Sequence, residues 1–443
     1  MSKTLHHDRF SFLHIDLNSF FASVEQQLHP EYRGRPLAVV PTMADTTCCI
    51  AASYEAKKLG IKTGTQVGKA KEICPDIILV AGDHAEYAKY SHRIAEAVEL
   101  ACPVSHTPSI DEMVCQLMGR EQEPPRARKI ALEIKESIYK NVGVALRCSI
   151  GMAPNRYLAK IASDMQKPDG LIGLLPSQLP RAIAHLELRD LPGVGARTEV
   201  RLNAKGITTM EQLLALDRDG MHKLMNSVWG DRMYHWLRGA ATGDDGAPVP
   251  GDLQKSLGHS HVLAPEHRST EGSWAVAHKL LHKAAMRLRM EHFYTGSLAV
   301  TIRYQLTRTQ ENAQAERMKV KRHYSGIRHS GWGMEARFRD CQDTLTLLEI
   351  LRSLWAQRPQ GAEFQKPFFV GITLRDLIPE NEHQAELFAD PNNRAGLSAT
   401  MDKLNLKYGH TTLHFAGMLP ARESAPTRIA FTQIPVQYGV DYM

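Results

Sequence analysis

The sequence has no pair of cysteines spaced C-x-x-C. Its seven cysteines (Cys48, Cys49, Cys74, Cys102, Cys115, Cys148 and Cys341) are scattered. They are therefore read as reduced, mostly buried thiols of a cytoplasmic protein. No run of eighteen apolar residues occurs, which excludes membrane-spanning helices. The stretch Met1–Phe10 has no apolar h-region, so no secretory signal is expected. Neither sign of charge dominates: the net charge is +6, compatible with a polyanionic partner without requiring one. What remains is an ordinary globular composition, 43% hydrophobic and 23% charged. Its 443 residues exceed one compact core and imply about two to four domains.

The most informative stretch is Ser109-Ile110-Asp111-Glu112, followed by the apolar run Met113-Val114-Cys115. Neighbours on a strand point to opposite faces, so two adjacent carboxylates share a site only at a strand edge or tight turn. Divalent cations are the usual reason to gather carboxylates for phosphoryl chemistry. Alone, the tetrapeptide also fits a solvated turn. Upstream, Ser11–Asp16 reads as a strand ending in an acid, and Ser19–Gln27 as a helix with Ser19 as N-cap. Asp16 thus falls at the carboxyl end of a strand, where open α/β sheets place ligand groups. The Leu17 carbonyl could face a cation there. Of the Phe20-Phe21 rings, one is expected in the core and the other free to wall a pocket.

Leu37–Val40 and Thr47–Ala52 read as strands, and Ala52–Leu59 as a helix stopped by Gly60. Tyr54 and Lys57 share a face of that helix, a hydroxyl and a cation suited to a phosphate, with an ordinary amphipathic surface helix as the alternative. Helices are expected over Glu86–Cys102 and Arg126–Lys140, then a buried strand Ala145–Gly151 with a glycine stop. On the helix Asn155–Lys167, residues Arg156, Lys160, Ser163 and Lys167 form one polar face with three cations. Leu191-Pro192-Gly193-Val194-Gly195, ahead of Arg197, lies between a helix expected over Gln178–Leu188 and another over Arg197–Ala204. Two glycines and a helix N-terminus let the backbone approach a phosphate, as in a helix–hairpin–helix. More helix is expected over Met210–Arg238.

Beyond the Gly- and Pro-rich stretch Gly239–Gly251, strands are expected at Lys255–Ser260, Ser297–Tyr304 and Pro367–Leu374. Helices are expected at Thr270–Met290 and Thr344–Trp355, both on one face of the sheet. The densest cationic segment holds Arg303, Arg308, Arg317, Lys319, Lys321, Arg322 and Arg328, with Tyr304 and Tyr324 interspersed. A solvated loop is the alternative. His278 and His282 are spaced to ligate a metal, but with no third ligand they read as surface-helix residues. In the tail, Gln384–Phe388 has the character of a partner-docking peptide. A short helix, Leu397–Tyr408, and a strand-like Thr412–Phe415 follow.

In this order the motifs resemble the Y-family, the translesion DNA polymerases of the polymerase IV and polymerase V type. The motifs are Ile15–Ala22, Ser53-Tyr54-Glu55-Ala56, Ser109–Glu112, Ser149-Ile150-Gly151 with Lys160–Asp164, Lys167-Pro168-Asp169-Gly170 and Leu191–Gly195. The resemblance implies an α+β multidomain right hand with these parts: palm (1–25 and 80–175), small fingers (26–79), helical thumb with the helix–hairpin–helix (176–240), linker (241–252), α+β little-finger domain (253–378) and tail (379–443). It implies that Asp16, Asp111 and Glu112 bind two Mg²⁺ ions, with the Leu17 carbonyl as a further ligand and Mn²⁺ as a substitute. Phe20, Phe21, Tyr54, Lys57 and Lys167 fall where the family binds the nucleotide, and Phe21 is the steric gate against a ribose 2′-hydroxyl. Gly193, Gly195, Arg197, Arg303, Arg317, Lys319, Lys321 and Arg322 would contact primer-template DNA. Gln384, Leu387 and Phe388 would bind a sliding clamp. Accessory subunits stay open.

Two departures stand out. Ala51 sits where the family often has threonine, and Lys57 where it often has arginine, a point charge in place of a fork. The expected activity is error-tolerant, template-directed DNA synthesis opposite damaged bases. One alternative is a catalytically weak relative that binds DNA or recruits repair factors. Another, a helix–hairpin–helix glycosylase or nuclease, would explain residues 178–206 and leave Asp16 and Asp111 idle.

Overall fold

The computed structural model describes residues 8–41, 43, 45, 47–240, 255–305, 329–361, 366–384, 394–409, 412–422 and 424. They form two compact units, one ending at residue 240 and the other starting at 255.

The first unit is built on strands β1 (Phe12–Leu17), β2 (Leu37–Val40), β3 (Ala51–Ala52), β4 (Ile78–Ala81), β5 (Val104–Ser109), β6 (Glu112–Gln116), β7 (Cys148–Ala153) and β8 (Leu171–Gly173). A five-stranded sheet runs β5-β6-β1-β7-β8, and a separate three-stranded sheet runs β3-β2-β4. β1 sits at the centre of the larger sheet, antiparallel to β6 and β7. All six of its residues are buried, as a central strand covered on both faces requires. Helices α1 (Phe20–Leu28), α2 (Tyr54–Lys58), α3 (Val67–Ile73), α4 (His84–Glu99), α5 (Pro124–Asn141) and α6 (Arg156–Met165) complete this part. Leu13, Ile15, Met113, Cys115, Ile150 and Met152 face one side of the sheet and join a core with Ile94 of α4 and Ile134 of α5. The other side carries Phe12, Val114 and Ala153, packed on Leu158, Ala159 and Ala162 of α6.

Helix α6 lies close because residue 151 is glycine. A Cβ there would stand 2.0 Å from the Ala159 carbonyl oxygen and 2.4 Å from the Ser163 amide nitrogen. Gly151 is thus an interior position of β7, not the stop expected of it, and Ser163 is fully buried rather than on a polar face. Residues 47–50 give only a Cys48–Gln66 bridge ahead of the two-residue β3.

The continuous helix expected over Gln178–Leu188 is absent. Three single 3₁₀ turns, Pro176–Gln178, Arg181–Ile183 and Leu188–Asp190, take its place. Pro180 has no N–H to donate and disfavours helical geometry at Leu179, which breaks the run. The loop Leu191–Gly195 and helix α7 (Ala196–Ala204) follow, then α8 (Met210–Leu214), α9 (Arg218–Met225) and α10 (Val228–Trp236).

The second unit has strands β9 (Ser256–Val262), β10 (Phe293–Gln305), β11 (His329–Cys341) and β12 (Pro367–Pro379) in the order β11-β10-β12-β9, all antiparallel. Along β10 the residues Leu298, Val300, Ile302 and Tyr304 are buried in alternation. They share a core with Leu281 of α11 (Thr270–Met290) and Leu351 of the helix Thr344–Ala356, so both helices cover one face. Tyr304 belongs to this core and not to a cationic surface. His278 and His282 are also buried, at 7% and 5% exposed, instead of lying on a surface face. Phe415 packs on both imidazoles, at 6.3 and 5.9 Å between ring centres. The helix Arg394–Tyr408 is present, whereas Thr412–Phe415 forms no strand.

Candidate active site

Asp16, next to last in β1, pairs directly with Glu112, the first residue of β6, and with Ser149 of β7. Directly opposed residues point to the same face, so the carboxylates of Asp16 and Glu112 converge beneath α6. Asp111 reaches the same neighbourhood through the tight turn between β5 and β6. The Ser109 hydroxyl lies 2.7 Å from Asp111 Oδ1 and 3.0 Å from Glu112 Oε2, drawing the adjacent acids to one side. The Leu17 amide donates to the Asp111 carbonyl at 2.9 Å, which ties this turn to the end of β1.

The electrostatics follow from burial and neighbours. Burial raises the Asp111 carboxyl above the ordinary range, and the charges of Asp16 and Glu112 add to that. Glu112 goes the other way. Burial alone would raise it, but His14 and Lys160 beside it hold it well below the usual carboxylate range. Lys160 Nζ is 2.8 Å from Asp16 Oδ2 and also donates to Glu112 Oε1. Lys167 Nζ donates to Asp16 Oδ1 at 2.6 Å and pairs with Asp164 at 2.7 Å. Burial works against both ammonium groups, yet the carboxylates around them keep both above their ordinary value.

Three contributors escaped the sequence reading. His14 is 3% exposed, and its Nε2 lies 3.5 Å from Glu112 Oε1 with no hydrogen-bond partner. It stands two residues before Asp16, and strand periodicity alone puts both on one face. Asn18 is buried; its amide donates to Ser149 at 3.1 Å and its carbonyl accepts from the Asp169 amide at 2.7 Å, which fixes the loop carrying Lys167. The third is Tyr87. Neither phenylalanine ring is free as expected: Phe20 is 3% and Phe21 5% exposed. Phe21 stacks on Tyr87 with ring centres 4.3 Å apart, and Tyr87 donates to Glu25 at 2.5 Å.

On α2, Lys57 Nζ sits 4.6 Å from the centre of the Tyr54 ring and donates to Ser19 Oγ at 2.6 Å. Ser19 holds the N-cap position of α1 in the left-handed region, φ 50°, without capping through its side chain. A cleft of about 410 Å³ runs between Lys160 and Asp164 on one side and Arg189–Gly195 on the other. Gly193 there has φ +84°, and a Cβ would meet the Trp229 ring at 2.9 Å. Gly195 is the N-cap of α7, and Arg197 in its first turn is exposed. In the second unit Arg303 is exposed and stacked over Phe369, 4.5 Å from the ring centre. Gln384 is exposed. Arg308, Arg317, Lys319, Lys321, Arg322, Tyr324, Arg328, Leu387, Phe388 and the linker from 241 onward lie outside the described residues.

Among the described residues, His14, Asp16 and Glu112 are the one group of three or more His, Cys, Asp or Glu donors gathered within 4.8 Å. Asp16 and Glu112 give this buried group two carboxylates, donors that suit a hard divalent cation. No helix of the described residues is long and apolar enough to cross a membrane.

The profile of the impB/mucB/samB family matches residues 15–164, and that of the impB/mucB/samB family C-terminal domain matches residues 254–387. A protein named DNA polymerase IV from Moorella thermoacetica is 31% identical over 411 residues, covering 92% of this chain and 95% of its own length. DNA polymerase IV 1 of Bacillus subtilis is 29% identical over 432 residues, covering 95% and 96%. The solved structure of a Y-family DNA polymerase chimera, Dbh-Dpo4(243-245)-Dbh, shares the fold. Its TM-score is 0.65 at 22% identity, over 83% of this chain and 99% of the chimera.

Proposed function

The chain belongs to the impB/mucB/samB family of Y-family DNA polymerases, and on that premise we propose that Asp16, Asp111 and Glu112 form its catalytic centre. It is a template-directed DNA polymerase of the error-tolerant translesion type, which adds deoxynucleotides to a primer 3′-hydroxyl. The observation that carries the assignment of the centre is the register Asp16↔Glu112, with Asp111 turned in beside them by Ser109.

The reaction depends on divalent metal, and the donor set fits it. Asp16, Asp111, Glu112 and the Leu17 carbonyl would hold two Mg²⁺ ions. Bound there, the ions would lower the pKa of the attacking hydroxyl and neutralise charge on the leaving pyrophosphate. The protein's part is positioning. Ser109 orients both Asp111 and Glu112, His14 sets its ring beside Glu112, and Asn18 fixes the loop of Lys167. Lys167, Lys57 and Tyr54 supply cations and a hydroxyl for the triphosphate. Phe21, backed by Tyr87, is the gate against a 2′-hydroxyl. The Gly193–Arg197 turn and the Arg303 face take the DNA backbone, and Gln384–Phe388 docks a sliding clamp. The sequence retains all three carboxylates, and nothing favours a non-catalytic relative.

The test is primer extension by the purified full chain on undamaged and lesion-bearing templates, with and without a clamp. Extension across the lesion with Mg²⁺ supports the reading. No incorporation with either Mg²⁺ or Mn²⁺ would overturn it in favour of an accessory DNA-binding role.

A further inference from the structure

The side chain that the centre leaves without an assigned part is Lys160. It reaches the sheet from α6, and its single ammonium bridges two acids, 2.8 Å from Asp16 Oδ2 and hydrogen-bonded to Glu112 Oε1. Its remaining partner is Asp164, at 3.4 Å. Lys167 takes the other Asp16 oxygen at 2.6 Å. Every oxygen of Asp16 and one of Glu112 are therefore engaged by an ammonium group. The backbone that carries Lys160 has little freedom to retreat, because Ala159 and Ser163 are seated against Gly151. Its four-carbon stem does have that freedom.

Resting on the reading that these acids hold divalent cations, we propose that Lys160 is a displaceable counter-ion that competes with the cation for Asp16 and Glu112. The two acids that Lys160 bridges, Asp16 and Glu112, meet the two ammonium groups of Lys160 and Lys167, which Asp164 also shares, so their charge is largely offset before any cation arrives. A cation that enters places its charge beside that of Lys160, and the two repel at this range. A triphosphate drawn to the neighbouring Lys167 would offer the ammonium another anionic partner. Lys160 then leaves the carboxylates as the nucleotide arrives, and metal affinity rises with it. Cation and nucleotide thus load as coupled ligands, and neither alone fills the centre well. Lys160 is a positioning residue in this scheme. It sets when the acids become available and takes no part in bond making.

The test reads metal affinity directly. Mn²⁺ is titrated into the full chain without nucleotide, and free ion is followed by electron paramagnetic resonance, for wild type, Lys160→Met and Lys160→Arg. Removing the competitor is expected to tighten Mn²⁺ binding roughly tenfold in Lys160→Met, the scale of one charge-assisted hydrogen bond. Lys160→Arg keeps the charge and should bind as wild type does. Mn²⁺ should also raise the melting temperature of Lys160→Met more than that of wild type, since its acids lack an internal counter-ion. Lys160→Gln replaces Lys160→Met if the latter does not fold. Equal or weaker Mn²⁺ binding in the uncharged variants would overturn the proposal while leaving the metal centre standing. Tighter binding by Lys160→Arg also counts against it. Absence of Mn²⁺ binding in every chain would remove the metal centre itself.

Discussion

At the scale of single residues, Phe21 is clamped as well as placed. Its ring stacks on Tyr87 at 4.3 Å, and the Tyr87 hydroxyl is anchored on Glu25 at 2.5 Å. The gate proposed for this ring works only if the ring cannot swing aside. Phe21→Ala should therefore raise ribonucleotide insertion relative to deoxynucleotide by roughly a hundredfold in single-nucleotide assays. Tyr87→Ala should act in the same direction with a smaller effect. Unchanged sugar discrimination in Phe21→Ala would mean that another ring forms the gate. Lys57 allows a second check. It engages Ser19 and the Tyr54 ring through one point charge. Lys57→Arg should lower KM for the incoming nucleotide severalfold with kcat little changed, as an added uniform binding contact does. A fall in kcat would show that the lysine geometry matters to the chemistry. Much of this site was legible in the sequence. The acid at the end of β1 and the adjacent acids at a tight turn both follow from strand periodicity and its interruption. Lys160 was legible only as part of a cationic helix face, because helical spacing says which residues share a face and not what that face meets.

At the scale of elements, Gly151 joins sheet to helix. A methyl group there would be 2.0 Å from the Ala159 carbonyl, against backbone that cannot rotate away. Gly151→Ala should cost about 3 kcal/mol or more in thermal or denaturant unfolding, and should lower activity by shifting Lys160. Stability within about 0.5 kcal/mol of wild type would show that α6 can be lifted freely. Elements with strong periodicity were readable from sequence: the helix Thr270–Met290 has the bounds expected of it. Strands β5 and β11 were not seen, and both are edge strands in their sheets. An edge strand is covered less fully, and β5 accordingly carries Pro108 and little apolar pattern, whereas β11 does alternate, with Trp332, Ala336 and Phe338 packed on the core and Gly331, Gly333, Arg337 and Arg339 on the other face. The helix expected over Gln178–Leu188 is broken by Pro180, whose ring and missing N–H leave only short 3₁₀ turns.

At the scale of the whole molecule, each of the two units has its own core, and the second carries a pH dependence of its own. Burial pushes His282 down from 6.5 to about 4, and His259 likewise. The unfolded chain binds these protons near pH 6.5 and the folded unit only near 4, so stability falls as pH drops through that window. For His282 the loss is on the order of 3 kcal/mol. His282→Leu should flatten the decline in melting temperature between pH 7 and pH 5, and a decline as steep as in wild type would contradict the assignment. The proposed chemistry depends on the acids at the end of β1 and the start of β6. The most direct measurement is primer extension by Asp111→Asn and Glu112→Gln beside wild type, with primer-template affinity measured on the same preparations. Extension should fall by roughly a thousandfold or more while DNA affinity holds. Near wild-type extension by either variant would contradict the account.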